Sequence, residues 1–200
     1  MPGAPFPMTS VALFCGSSPG LQPQWGQAAT AFGKILAEAG VRLVYGGGAL
    51  GLMGACAREV IANGGRVLGV IPEFLRLPEV AYEAAELVMV GSMHERKATM
   101  FQEADGFVVM PGGVGTLEEV IEILSWIRLG LHAKPVVFYN GLGYWAPLFD
   151  LIEHSVRQGF TPPEFREAFS DVDRVDDILP ALTDMAARAG ERSPMPLILT

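Results

Sequence analysis

Two short stretches concentrate the residue types that could handle an anionic, oxygen-rich ligand. They are "SMHERKATM" at 92–100, with Arg96 and Lys97, and "PGGVGTLEE" at 111–119, where three glycines precede Glu118 and Glu119. Glycines after an apolar strand let backbone N–H groups approach a phosphate, and a helix starting near Gly115 would point its positive end at the same place, with Thr116 adding a hydroxyl. A carboxylate beside such a cradle could bind ribose hydroxyls, position a water and stabilise positive charge developing at C1′ as a glycosidic bond breaks. A plainer reading competes: "TLEE" fits S/T-x-x-E, in which Thr116 caps the helix and Glu119 is only its reciprocal partner. The basic pair weighs against it. Arg96 and Lys97 open a helix before the next strand and can stand over the same strand ends, with Arg96 pairing with Glu119 or with substrate. His94 reads as a surface or capping histidine and receives no catalytic role.

The elements that must position these groups alternate in type. Short apolar runs ending in glycine or proline predict strands at 11–15, 42–46, 66–71, 86–90, 106–110 and 135–139. Segments of helical period between and after them predict helices near 22–39, 51–63, 93–103, 115–129, 145–158 and 175–189. That alternation specifies an α/β fold: a doubly wound, Rossmann-like parallel sheet with helices on both faces. Ligands of such sheets collect beyond the carboxyl ends of the strands. Three glycine-rich loops are expected there, "CGSSPG" (15–20), "YGGGALGLMG" (45–54) and "PGGVGT" (111–116). The division is an N-terminal arm at 1–10, one domain at 11–190 and a tail at 191–200.

Composition narrows the partners. With 200 residues and 50% apolar side chains, one well-buried domain is expected. A formal net charge of −8, from 14 basic and 22 acidic residues, argues against a nucleic-acid or anionic-membrane footprint, so an anionic ligand needs local donors. The two cysteines, Cys15 and Cys56, have no metal-ligand spacing; no metal and no cofactor is expected, and a reducing cytoplasm suits them. The proline-bearing N-terminus lacks the charged leader of a secretory signal, and no apolar run reaches the roughly 18 residues of a membrane span.

The glycine loops also narrow the ligand. No GxGxxG follows the first strand, and "GGG" stands at the end of the second strand where a dinucleotide fold places its acidic ribose binder, which argues against NAD. The Gly-Lys-Ser/Thr of triphosphatases is absent, which argues against ATP hydrolysis. A monophosphate or similar small anion remains.

"SMHERKATM" followed at this separation by "PGGVGTLEE" resembles the Lonely Guy (LOG) family, the cytokinin riboside 5′-monophosphate phosphoribohydrolases. The likeness runs through "CGSS", "GGGALGLMG", "GVIPEFL", "LGLHAKPVVFYN", "GYWAPL" and "GF", about residues 11–160. The resemblance implies a Rossmann-like homodimer that hydrolyses the N-glycosidic bond of AMP or N6-substituted AMP. It implies Arg96 and Glu119 as the catalytic pair. Lys97, Gly112, Gly113, Val114, Gly115, Thr116, Leu117 and Glu118 then belong to the substrate site. Glu79 matches a substrate-contacting glutamate across a one-residue gap, and Ser125 stands where the family carries a threonine.

Proteins of this kind are often labelled lysine decarboxylases, which the lysines argue against. Pyridoxal phosphate needs a Schiff-base lysine, and only Lys34, Lys97 and Lys134 occur. Lys34 falls on an amphipathic helix, Lys134 beside a strand entrance and Lys97 within the nucleotide motif. The competing class is a non-catalytic nucleotide or molybdenum-cofactor carrier of the same fold; the co-occurrence of Arg96 and Glu119 favours the enzyme, since a pure phosphate binder gains nothing from a carboxylate beside its anion. Leu52 and Met53 could line a base pocket or pack in the core. The apolar stripe Val120, Ile123, Leu124 and Ile127 on one helix, with Trp126 adjoining, predicts dimer packing through that helix.

Overall fold

The computed structural model describes residues 8–75, 82 and 84–189. Seven strands, β1 (Ser10–Phe14), β2 (Arg42–Tyr45), β3 (Val67–Pro72), β4 (Glu86–Val90), β5 (Gly106–Val109), β6 (Val136–Tyr139) and β7 (Ser170–Val172), form one sheet in the order β4-β3-β2-β1-β5-β6-β7. Every pairing is parallel. Six helices connect or follow them: α1 (Pro23–Glu38), α2 (Gly51–Ala62), α3 (Met93–Glu103), α4 (Val114–Arg128), α5 (Ala146–Arg157) and α6 (Ile178–Ala189). This is the doubly wound α/β fold that the alternation of elements predicts.

Both sheet faces are covered, which explains why the strands read as unbroken apolar runs. Successive side chains point to opposite faces, so Val11 and Leu13 join one core with α1, α2 and α6. Ala12 and Phe14 join the other with α3, α4 and α5.

Strand order creates the crevice. The chain winds outward from β1 through β2 and β3 to β4 at one edge, then returns to place β5 on the other side of β1. The topological switch point therefore lies between β1 and β5, where loops leave in opposite directions and ligands gather. The return is made by α3, which passes over the sheet from the β4 edge and carries Arg96 and Lys97 above the strand ends. The anchor at the opposite ends of β1 and β5 is Asp105, whose carboxylate accepts from the Thr9 and Ser10 N–H groups at 2.9 and 3.0 Å and from the Thr9 hydroxyl at 2.7 Å. Ser10 is thus part of the sheet, one residue before the domain start expected from the sequence.

β7 has no counterpart in the sequence reading. "SDV" is three residues long and only partly buried, an edge strand too short and polar for an apolar run to reveal.

Candidate active site

Helix α3 starts on a side-chain cap. The Ser92 hydroxyl accepts from the Glu95 N–H at 3.1 Å, and the Glu95 carboxylate accepts from the Gly91 N–H at 2.7 Å. This S-x-x-E pair fixes the first turn and leaves Arg96 and Lys97 on the following residues. "TLEE" does not form the box that its pattern suggests. Gly113 is the N-cap of α4, Thr116 is already helical and buried, and no side chain caps the end. Because the helix begins at Val114, Glu118 and Glu119 fall in its second turn, and Glu119 is released from any capping duty.

Glu119 instead turns inward. Its side chain is 10% exposed, and its Oε1 lies 3.0 Å from Arg96 Nη1. Arg96 is held from two further sides: its Nε donates to the Val70 carbonyl at 3.2 Å, and its Nη2 lies against Gly46 where a β-carbon would stand. The glycine is required there because any side chain would displace the guanidinium. Burial pushes the Glu119 carboxyl up to about 6, against the opposing pull of Arg96 and Lys97, while Glu118 adds to the rise. A carboxylate that ionises near neutrality, fixed by a permanent cation, can accept a proton or face a developing positive charge.

Lys97 sits between two carboxylates of α4. It donates a hydrogen bond to Glu118 and forms an ion pair with Glu122 Oε2 at 3.0 Å. Burial works to lower its pKa, but the two carboxylates raise it overall, so it is firmly charged. Glu122 was missed from the sequence, although a signal existed. Glu118 and Glu122 are spaced i,i+4, a like-charge pair that weakens a helix unless a cation lies between them.

The three glycine loops do meet, through one residue. The Gly16 N–H donates to the Pro111 carbonyl at 2.9 Å, and the Gly16 carbonyl accepts from the Leu52 N–H at 3.0 Å. Loop 15–20 therefore bridges the starts of α2 and α4. The Gly16 N–H is consumed by this bridge and is not free for a ligand. Gly51, at φ +60°, lies so close to the Ser17 backbone that a β-carbon would collide with it. Gly112 is similarly overlaid by Thr116. These glycines thus serve loop-on-loop packing, and the N–H groups of the uncapped α4 start are those left for an anion. Beside them lies a recess of about 170 Å³ walled by Trp25, Leu52, Pro111, Gly112 and Tyr144. Leu52 is buried at the recess, while Met53 reaches toward Gly46 beside Arg96.

Other anticipated residues are placed differently. Val114 is 82% exposed, whereas Leu117 is partly buried and packs against the core. Ser125 is exposed two turns beyond Glu118 and donates to the Ile121 carbonyl at 2.7 Å. It borders a separate groove of about 300 Å³ with Arg128, Leu129, Phe160 and Phe165, and is not brought to Arg96 and Glu119 within one chain. Glu79 lies outside the described residues. Among the described residues, no group of three or more His, Cys, Asp or Glu side chains could hold a metal ion. No helix among them is long and apolar enough to cross a membrane.

A family profile described as "possible lysine decarboxylase" matches residues 53–182. A cytokinin riboside 5′-monophosphate phosphoribohydrolase of Rhodococcoides fascians is 47% identical over 159 residues, covering 78% of this chain and 80% of that protein. A probable enzyme of the same name from Oryza sativa subsp. japonica is 50% identical over 160 residues, covering 80% and 70%. The chain belongs to the Lonely Guy family. Among solved structures, a molybdenum cofactor binding protein of Rippkaea orientalis superposes with a TM-score of 0.68 at 16% identity, covering 90% of this chain and 98% of that one, which shows the shared fold. The lysines of this Lonely Guy member do not fit a decarboxylase. Lys34 pairs with Glu38 on an exposed face, Lys97 is enclosed by Glu118 and Glu122, and Lys134 donates to the Phe101 and Ala104 carbonyls at 2.6 and 2.7 Å.

Proposed function

We propose that this chain hydrolyses the N-glycosidic bond of AMP or an N6-substituted AMP, releasing the free base and ribose 5-phosphate. The observation that carries this reading is the buried Arg96–Glu119 pair, set beside an uncapped helix start at the switch point of the sheet. The 5′-phosphate sits on the N–H groups at the start of α4, which hold it by hydrogen bonds and by the positive end of the helix. Arg96 binds Glu119 through Oε1 and keeps the carboxylate aimed. As the bond between C1′ and the base breaks, its electron pair leaves with the base and positive charge spreads over C1′ and the ring oxygen. Glu119 stabilises that charge and takes a proton from the water whose hydroxyl adds to C1′; the departing base gains a proton. Neither a metal nor a cofactor is required by these steps.

Remote binding of the phosphate is used to orient the ribose. AMP should therefore exceed adenosine in kcat/KM by about two orders of magnitude or more, and ATP should be poor without a lysine or metal for its added charge. Chromatography of free adenine tests this on one preparation. Equal values for adenosine and AMP would remove the phosphate from the account, and nucleotide binding without any base release would favour the carrier reading. Comparing AMP with isopentenyladenosine monophosphate then decides the preferred base.

A homodimer in the cytoplasm is part of the proposal, but its surface differs from the stripe read in the sequence. Val120, Ile123 and Leu124 are buried against the chain's own sheet, and Trp126 packs edge-on against Phe101 at 5.2 Å. Unspent apolar surface lies instead at Ile121, Leu129, Leu131 and Phe160, the last 88% exposed.

A further inference from the structure

The glycine loop before α4 is held from behind by a side chain to which the sequence motifs assign no site role. Tyr144 donates its hydroxyl to the Gly112 carbonyl at 2.6 Å. In a trans peptide the carbonyl and the following N–H point in opposite directions. Fixing the Gly112 carbonyl toward Tyr144 therefore turns the Gly113 N–H away from it, toward the open rim where Gly113 is exposed. The preceding peptide is fixed in the same way, because the Pro111 carbonyl accepts from the Gly16 N–H at 2.9 Å. Two consecutive peptides of the loop thus have set orientations. One is set by backbone and the other by the Tyr144 hydroxyl.

Tyr144 is itself well anchored. Its ring meets Trp25 edge-on at 5.3 Å and Trp145 at 4.9 Å. The turn that carries it is tied to the sheet, since the Asn140 N–H donates to the Val172 carbonyl at 2.8 Å and the Asn140 side-chain oxygen accepts from the Trp145 N–H at 2.8 Å. A glycine loop is otherwise free to rotate its peptides, and a donor held in place binds an anion better than one that must be ordered on binding.

We infer that Tyr144 is a positioning residue for the phosphate site: its hydroxyl presets the Gly112–Gly113 peptide so that the Gly113 N–H faces the anion. The inference rests on the phosphate reading given above. It also assigns the short β7 strand a role, because β7 secures the turn that aims Tyr144.

The test compares wild type with Tyr144→Phe, which removes only the hydroxyl and retains the ring between Trp25 and Trp145. Calorimetric titration with inorganic phosphate and with ribose 5-phosphate should show affinity lower by about five- to tenfold, the size expected for one hydrogen bond. With AMP, KM should rise by a similar factor and kcat should change by less than about twofold, a split that a general loosening of the fold would not give. Melting temperature and near-ultraviolet circular dichroism should match wild type. Unchanged phosphate affinity in the variant would overturn the inference, as would a loss of kcat equal to the rise in KM. Wild-type protein that binds no phosphate would overturn it together with the cradle. Wild-type protein that binds phosphate yet releases no adenine from AMP would defeat the hydrolase reading only, and the Tyr144 comparison would still decide.

Discussion

At the scale of single residues, Glu119 matters because two opposed influences act on one carboxyl. Burial raises its pKa to about 6, while Arg96 holds it ionised and oriented. Glu119→Gln keeps the shape and removes the charge, so turnover of AMP should fall by at least about two orders of magnitude with the fold intact. Near-wild-type turnover would reduce Glu119 to packing. Arg96→Ala should cost a similar factor, since it leaves the carboxylate buried without its cation. The raised pKa also fixes a sign. The working form is the carboxylate, so activity should be lost as pH falls through about 6; a group acting first as an acid would lose it as pH rises. Phosphate monoesters ionise in the same range, so the check is carbon NMR of the glutamate carboxyls in the ligand-free protein, where one resonance should titrate near 6 and vanish in Glu119→Gln. The same shift means that the folded state binds this proton more tightly than the unfolded chain does. The stability it contributes is full below the ordinary value of 4.5 and is lost as pH rises through about 6. Both members of the pair were legible from residue type and motif, and Glu119 was one of the two partners expected for Arg96, whereas the geometry of the contact was not, because α3 reaches α4 only through its return across the sheet. Tyr144 was illegible for a related reason: a tyrosine hydroxyl bound to a glycine carbonyl 32 residues away leaves no local pattern.

Among the elements, α3 carries the heaviest functional duty with little apolar support, since Met100 is its single fully buried side chain. Its two ends are fixed by polar groups instead. Ser92 and Glu95 secure the start, and Lys134, lying 4.2 Å from the Phe101 ring centre, donates to the Phe101 and Ala104 carbonyls at the end. Lys134→Met should lower unfolding free energy by about 1 to 2 kcal/mol, the range for hydrogen bonds to a charged donor partly open to solvent, measured by urea denaturation. Turnover should drop less than about tenfold, because the first turn of α3 keeps its own cap. A stability equal to wild type would show that the carbonyls are satisfied by water. Helix and strand boundaries were readable to within a few residues wherever apolar period and glycine punctuation agreed, as in α3, whose observed span equals the expected 93–103. They failed at β7, which lacks both, and at the α4 cap, where S/T-x-x-E was present but displaced by three residues from the helix start.

For the whole molecule, the sheet order brings three loops and two charged helices to one crevice and leaves Ile121, Leu129, Leu131 and Phe160 facing solvent. Light scattering should show a dimer at micromolar concentration, and Phe160→Glu with Leu131→Glu should shift it toward monomer; an unchanged dimer would move the interface elsewhere. At the far ends of the strands, Asp105 has a pKa that burial would raise, but hydrogen bonds from Thr9 and Ser10 hold it below the usual carboxylate value. Its contribution is present above the ordinary value and is lost as pH falls through the depressed one, so Asp105→Asn should destabilise at neutral pH and lose that penalty in strong acid. The parallel topology and its switch point were legible because alternating apolar runs and amphipathic segments permit few other folds, while the exposed patch was hidden because sequence periodicity cannot tell a stripe spent on the sheet from one left over. The most direct measurement is adenine and ribose 5-phosphate formation from AMP, followed by chromatography, for wild type and Glu119→Gln at matched fold and matched AMP affinity. Stoichiometric release of both products by wild type, with the variant still binding AMP but slower by about a hundredfold or more, is the result predicted. Binding of AMP without release by wild type, or equal release by both proteins, would contradict it.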